Sequence, residues 1–171
     1  MEIGIISDTH SNFFAIKKAC EIFRTRNINI VLHCGDITSK EALRGFKGFN
    51  LYFVFGNIDV NREELEETAK EFGFRCLREE GSVILNKKKI VMIHGDNKKR
   101  LLELIAQQEH DIIITGHTHK KSAHLEKKTL VINPGAHNPL NTQNEDRTVA
   151  ILDLEKQLIP NNVLFFSIID S

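Results

Sequence analysis

Short, unbroken apolar runs recur along this chain, and five of them give way abruptly to a block holding a residue that can bind a metal. The runs are Ile3–Ile6, Ile30–Leu32, Leu51–Phe55, Val83–Leu85, Ile90–Ile93, Ile112–Thr115 and Leu130–Ile132. Rich in β-branched residues and without polar alternation, they read as strands buried on both faces. None approaches the roughly 18 residues of a membrane span.

Helical segments fall between several of these runs. Asn12 can cap a helix to about Arg26 that carries Ile16, Ala19, Cys20 and Phe23 on one face. Thr38 with Glu41, and Asn61 with Glu64, have capping-box spacing ahead of helices over 42–46 and 65–72. Gly73 suits a left-handed helix end, and a further helix is expected over 98–108. Polar turns at 86–89, 126–128 and 155–157 separate later strand candidates. Strand–helix alternation followed by consecutive strands predicts an α/β domain with mixed sheets, and no internal repeat or linker divides residues 1–171.

The chemistry lies in the block at the end of each run. The first run leads into Ser7-Asp8-Thr9-His10, the second into His33-Cys34-Gly35-Asp36 and the third into Gly56-Asn57-Ile58-Asp59. Two more lead into His94-Gly95-Asp96 and Gly116-His117-Thr118-His119. In α/β sheets ligands gather outside the carboxyl ends of strands, so these blocks can converge despite their separation in sequence. Residues two apart in extended chain project to one side, which lets Asp8 and His10 grip one ion and lets His117 and His119 reach neighbouring ones. Glycine beside a ligand lets backbone pass close to a metal. A donor set of carboxylate, amide oxygen and imidazole without thiolate favours Mn, Fe, Co, Ni or Zn in a non-structural site.

Taken in order, Asp-x-His, Gly-Asp, Gly-Asn, His-Gly and Gly-His-Thr-His resemble the calcineurin-like metallophosphoesterase superfamily. The short length and Asn133-Pro134-Gly135 resemble its small single-domain microbial phosphodiesterases. The resemblance covers residues 3–153 and implies two mixed β-sheets packed as a sandwich with helices outside, the four-layer fold of that family. It implies two divalent cations, manganese foremost. Asp8, His10, Asp36 and His119 would hold the first; Asp36, Asn57, His94 and His117 would hold the second, with Asp36 bridging. Asp36, Asn57 and His94 would serve the catalytic step itself. The implied reaction is hydrolysis of a small phosphate ester, foremost a diester, by in-line attack of a hydroxide shared between the ions. The competing expectation is a non-catalytic scaffold, since a subunit of the eukaryotic retromer has this fold. In that branch the Gly-Asp and Gly-Asn positions are altered, whereas Asp36 and Asn57 stand intact here.

Some positions depart from the family pattern. Ile58 stands where larger members carry a histidine that assists the leaving group. Asp59 is a candidate partner for a histidine ligand, Asp96 replaces a second histidine, and Ala136-His137 come after Asn-Pro-Gly. His33 is expected in the core or behind the ligands, His110 and His124 on the surface, and His137 either away from the site or lining it. Phe13 and Phe14 are expected to pack with their helix, an apolar rim for a nucleobase or aryl group being the alternative. Lys98-Lys99-Arg100 reads as a solvated helix face, with phosphate binding as its alternative. The run over 163–169 reads as a final core strand, or else as a homodimer interface.

Basic and acidic residues both number 23, giving a net charge of zero, which argues against attachment to nucleic acid or membrane by bulk charge and leaves nucleotides as candidate substrates. The N-terminus has no signal-peptide pattern, and Cys20, Cys34 and Cys76 form no paired motif, so a reduced, cytoplasmic setting is expected.

Overall fold

The computed structural model describes residues 1–138 and 140–169. Strands β1 (Glu2–Ile6), β2 (Ile30–Cys34), β3 (Asn50–Val54) and β4 (Arg75–Cys76) are linked by helices α1 (Phe13–Thr25), α2 (Lys40–Arg44) and α3 (Arg62–Phe72). Next come β5 (Glu80–Leu85), β6 (Lys88–Ile93), α4 (Lys98–Gln107), β7 (Ile112–Ile114), β8 (Ser122–Glu126), β9 (Thr129–Asn133), β10 (Thr148–Asp153) and β11 (Val163–Ser167). One six-stranded sheet has the order β11-β10-β1-β2-β3-β4, and a five-stranded sheet the order β5-β6-β7-β9-β8. Strands β1 to β4 run parallel, as do β6, β7 and β9, while the outer strands β5, β8, β10 and β11 pair antiparallel.

The two-residue period of a strand sorts the apolar residues into layers. Ile3, Ile5, Leu32 and Val54 of one sheet meet Ile90, Met92, Ile112, Ile114 and Ile132 of the other. Their neighbours Ile6, Val31, Leu51 and Phe53 face outward and are covered by Ala15, Ala19, Phe23, Leu43 and Leu65 from α1, α2 and α3. On the far side Val91, Ile93, Ile113 and Val131 lie under Leu104 of α4. The result is the expected sandwich with helices on both outer faces.

Local signals act as expected in most elements. Asn12 caps α1 by accepting from the Ala15 amide, and Gly73 ends α3 at φ 71°. Asn86 and Lys87 (φ 47° and 63°) form a two-residue hairpin turn between β5 and β6. Helix α2, however, is capped by Ser39, whose hydroxyl accepts from Ala42 N, and not by Thr38. Thr38 is turned away at φ 76°, with its amide bonded to Asp59 and its hydroxyl to Ser11. Asn61 occupies the cap position of α3 without a side-chain bond. The exposed edge strand β8 and the two-residue β4 carry no apolar run, and their sequences hold no strand signal. The 163–169 segment supplies β11, an edge strand paired only with β10 among the described residues. Cys20, Cys34 and Cys76 are unpaired, and no helix among the described residues is long and apolar enough to cross a membrane.

Phe23 is fully buried between α1 and the larger sheet, with its ring edge-on to Phe49 at 6.2 Å. Phe23→Ala is expected to cost about 3–5 kcal/mol of stability, read as a drop in the urea midpoint. A loss below about 1 kcal/mol would mean that this layer is not the packed core described.

Candidate metal centre

All five sequence blocks meet at the carboxyl ends of β1, β2, β3, β6 and β7. Donor atoms of Asp8, His10, Asp36 and His119 lie within 4.8 Å of one another. Asn57 Oδ1 is 3.1 Å from both His94 Nε2 and His117 Nδ1. His94 Nε2 lies 3.4 Å from Asp36 Oδ2 and 3.9 Å from Asp8 Oδ1, joining this group to the first. The structure therefore brings together all seven residues singled out from the sequence. Asp8, Asp36 and His94 form the buried floor, and Asn57 and His117 the exposed side.

The loops bend sharply to present these groups. Asp8, His10, Asp36, His117 and His119 all have positive φ, between 47° and 65°. Non-glycine residues enter this region rarely, with Asp, Asn and His the readiest to do so, and such strain persists where the surroundings impose it. Here they do. His10 N donates to Asp36 O, Asp8 N to Gly35 O, His137 N to Asp8 O, and His117 N to the Asp8 carboxylate. Two glycines are needed for lack of space: a Cβ at Gly56 would strike the Asp36 carboxylate, and one at Gly116 would strike Ser7 Oγ and Asp8 Oδ2.

Two imidazoles have their tautomers set by their partners. His94 Nδ1 lies 2.7 Å from the carbonyl of Cys34, which can only accept, so Nδ1 donates and Nε2 is the nitrogen left to hold either a second proton or a metal. That Nε2 faces Asp36 Oδ2, Asp8 Oδ1 and Asn57 Oδ1. His119 Nδ1 donates to Asn141 Oδ1 at 3.0 Å, which leaves its Nε2, 3.3 Å from Asp8 Oδ1 and 3.3 Å from His10 Nε2, to hold a proton or a metal. Buried electron pairs crowded in this way repel one another unless a proton or metal cation lies among them. The donor set therefore fits divalent metal.

Proton affinities reflect the same crowding. Burial alone would lower the pKa of His94, but its hydrogen bond to Asp36 and the charges of Asp8 and Asp36 lift it to about 9. Asp36 is raised by burial but held below the usual carboxylate range on balance, chiefly by His94 and the Ile58 amide. The hydrogen bond to Asp8 raises His119, while burial lowers His10.

Several supporting residues were not legible as such. The buried Asp59 does not orient a histidine: its carboxylate accepts from the amides of Asp36, Thr38 and Gly56 at 2.9, 2.7 and 2.8 Å, stapling two ligand loops together. Asn133, noticed only as part of Asn-Pro-Gly, donates to Gly116 O and Thr118 Oγ1. Ser7 Oγ donates to Asp8, and His33, fully buried against Phe46, bonds Thr9 Oγ1. His137 is buried, lines no open surface, and burial drops its pKa to about 3. His124 is exposed as expected, whereas His110 is half-buried and bonded to Ser82. Phe13 and Phe14 are exposed by 56% and 47% and do not pack into the helix core: they occupy the first turn of α1, whose buried face is formed by Ala15, Ile16, Ala19, Cys20 and Phe23. Arg100 is held bidentately by Glu80, and Lys98 and Lys99 are solvated, so that segment is a helix face.

His94 gives a pH test. A histidine whose pKa is raised on folding, here from 6.5 to about 9, stabilises fully below the unfolded value and loses that contribution as pH rises through the folded one. Metal-free protein is expected to fall in Tm between pH 6.5 and 9, with added divalent cation restoring more of it at the upper end. A Tm difference between metal-loaded and metal-free protein that stayed constant over this range would contradict the lone-pair geometry.

Residues 1–157 match the calcineurin-like phosphoesterase superfamily domain. The chain is 35% identical over 160 residues to a phosphodiesterase of Methanocaldococcus jannaschii, spanning 92% of this chain and 95% of that protein. Its structure superposes on that of an archaeal phosphodiesterase with a TM-score of 0.86 and 32% identity, covering 98% of this chain and 99% of the other. Vacuolar protein sorting 29 of Cryptosporidium parvum shares the fold, at TM-score 0.61 and 22% identity over 97% of each chain. With its ordered motif blocks, two-sheet sandwich and converged donors, this chain belongs to the calcineurin-like phosphoesterase superfamily.

Proposed function

We propose that the chain is a single-domain, metal-dependent phosphodiesterase acting on a small phosphate ester. The observation that carries this reading is the pair of oriented imidazoles, His94 and His119, whose Nε2 atoms face the carboxylates of Asp36 and Asp8. The likeness to the M. jannaschii phosphodiesterase supports the reaction class. Asp8, His10, Asp36 and His119 would hold one divalent cation, and Asp36, Asn57, His94 and His117 the other. Asp36 suits the shared position, since Oδ2 is 3.4 Å from His94 Nε2 and 4.0 Å from His10 Nε2. Manganese is the proposed metal, and iron, cobalt, nickel and zinc suit the same donors. When bound, paired cations lower the pKa of water and draw charge from phosphoryl oxygens.

The protein's own part is positioning. Asp59 and the Ile58 amide fix Asp36, Cys34 O fixes the His94 ring, and Asn141 fixes that of His119. The exposed Asn57–His117 side leaves an approach for a substrate such as a nucleotide ester. Intact Asp36 and Asn57 favour this reading over a scaffold, to which the fold shared with the sorting protein would equally lend itself. A cytoplasmic setting, and a homodimer built across the open edge of β11, belong to the same proposal.

Chelation is expected to abolish diester hydrolysis reversibly. Asp36→Asn is expected to lower kcat/KM more than His119→Ala or His94→Ala, with an unchanged circular dichroism spectrum. Chelator-resistant hydrolysis, or near wild-type rates in Asp36→Asn, would overturn the assignment. Ile58 can neither donate a proton nor hydrogen-bond a departing oxygen through its side chain, and a general acid typically contributes 10²–10⁴-fold. A steep dependence of kcat/KM on leaving-group pKa is therefore expected, with aryl esters cleaved readily and alkyl esters slowly. A shallow dependence would assign leaving-group protonation to another residue.

A further inference from the structure

Four exposed apolar residues sit on the segments that carry the donors or their partners. Phe13 (56% exposed) opens α1 three residues after His10, just past Asn12, whose amide is tied to His137 O at 2.8 Å. Ile58 (41%) comes directly after Asn57, and its amide lies on Asp36 Oδ1 at 3.2 Å. Val60 (80%) is two residues on, and its amide donates to Ile58 O at 3.0 Å. Leu140 (93%) precedes Asn141, the partner of His119. The residue between Ile58 and Val60 is the staple, Asp59, 2% exposed and held by three backbone amides. Asp59 is anchored inward, and both apolar neighbours are exposed. The other exposed aliphatic residues Ile84, Leu102, Leu125 and Leu164 lie on β5, α4, β8 and β11, which carry none of the donors.

Charge at the mouth agrees with this. Among the described residues, no lysine or arginine bonds any of the seven donors. Arg62 and Arg100, a few residues beyond Asn57 and His94 in sequence, are held by Glu79 and Glu80. A phosphomonoester dianion or a polyphosphate would call for spare cationic groups beyond the metals. A diester carries one negative charge and two organic arms, and apolar wall suits an arm.

We propose that Phe13, Ile58, Val60 and Leu140 form a collar that receives an apolar or aromatic ester arm, making the protein selective for phosphodiesters that carry one. This rests on the phosphodiesterase reading and adds the class of substrate. The collar would act on the arm that stays on phosphorus as well as on the one that leaves, so recognition can be separated from leaving-group chemistry.

The test uses two diesters with the same nitrophenolate leaving group, 4-nitrophenyl phenyl phosphate and 4-nitrophenyl methyl phosphate, on manganese-loaded protein. The phenyl arm is expected to raise kcat/KM about tenfold, the effect of burying part of one ring. Val60→Ser and Phe13→Ser are each expected to cut that ratio to about threefold or less, while Ile84→Ser, on β5, leaves it unchanged. Val60 is so exposed that its truncation removes no core, and a circular dichroism spectrum checks each variant's fold. Equal rates for the two esters in the wild type would overturn the collar alone, and so would a preference that survives both substitutions. Hydrolysis of neither ester would overturn the phosphodiesterase reading and the collar with it.

Discussion

Two carboxylates, Asp8 and Asp36, lie buried where the carboxyl ends of both sheets come together, and their negative charge sets the terms for everything near them. Burying a carboxylate is costly unless it is paired or bound to metal. The chain supplies part of the compensation through backbone amides, with His117 N on Asp8 and Ile58 N on Asp36. The Ser7 hydroxyl adds a donor to Asp8, and the other neighbours include imidazole nitrogens that add electron density unless they hold a proton or a metal. Such an arrangement is stable when positive charge occupies it. The raised proton affinity of His94 expresses the same demand in metal-free protein.

The rest of the fold can be understood as the support this arrangement requires. Parallel strands place their carboxyl ends on one side, and burial on both faces makes them rigid. Five of the seven donors sit in left-handed backbone that free peptides seldom adopt. These conformations are held by bonds running between loops from different strands, such as His10 N to Asp36 O and Gly116 N to His94 O. A site on separate flexible loops could not keep donors of both sheets within hydrogen-bonding distance of one another.

Much of this was legible in the sequence, because buried strands and ligand blocks are local patterns. Continuous apolar runs marked β1, β2, β3, β6, β7 and β9, and the abrupt change to Asp, His or Asn marked where each ligand loop begins. What escaped was tertiary. Asp59, two residues after Asn57, reads as a partner for histidine, yet it pairs with amides from three separate positions, a pattern with no sequence period. Ser39 displaced Thr38 as a cap because Thr38 is bent toward Asp59 and Ser11. Strand β8 is polar and pairs at a sheet edge, so burial leaves no trace in its residues. The exposure of Phe13 and Phe14 depends on where α1 begins relative to the site, which spacing along the helix does not determine.

The central claim is that these seven donors make one centre for two neighbouring cations shared through Asp36. Anomalous diffraction from crystals soaked in manganese tests it most directly. The account predicts two peaks about 3.5–4 Å apart, with the Asp36 carboxylate between them. One would contact Asp8, His10 and His119, and the other Asn57, His94 and His117. A single peak away from Asp36, or two peaks that do not share it, would contradict the account.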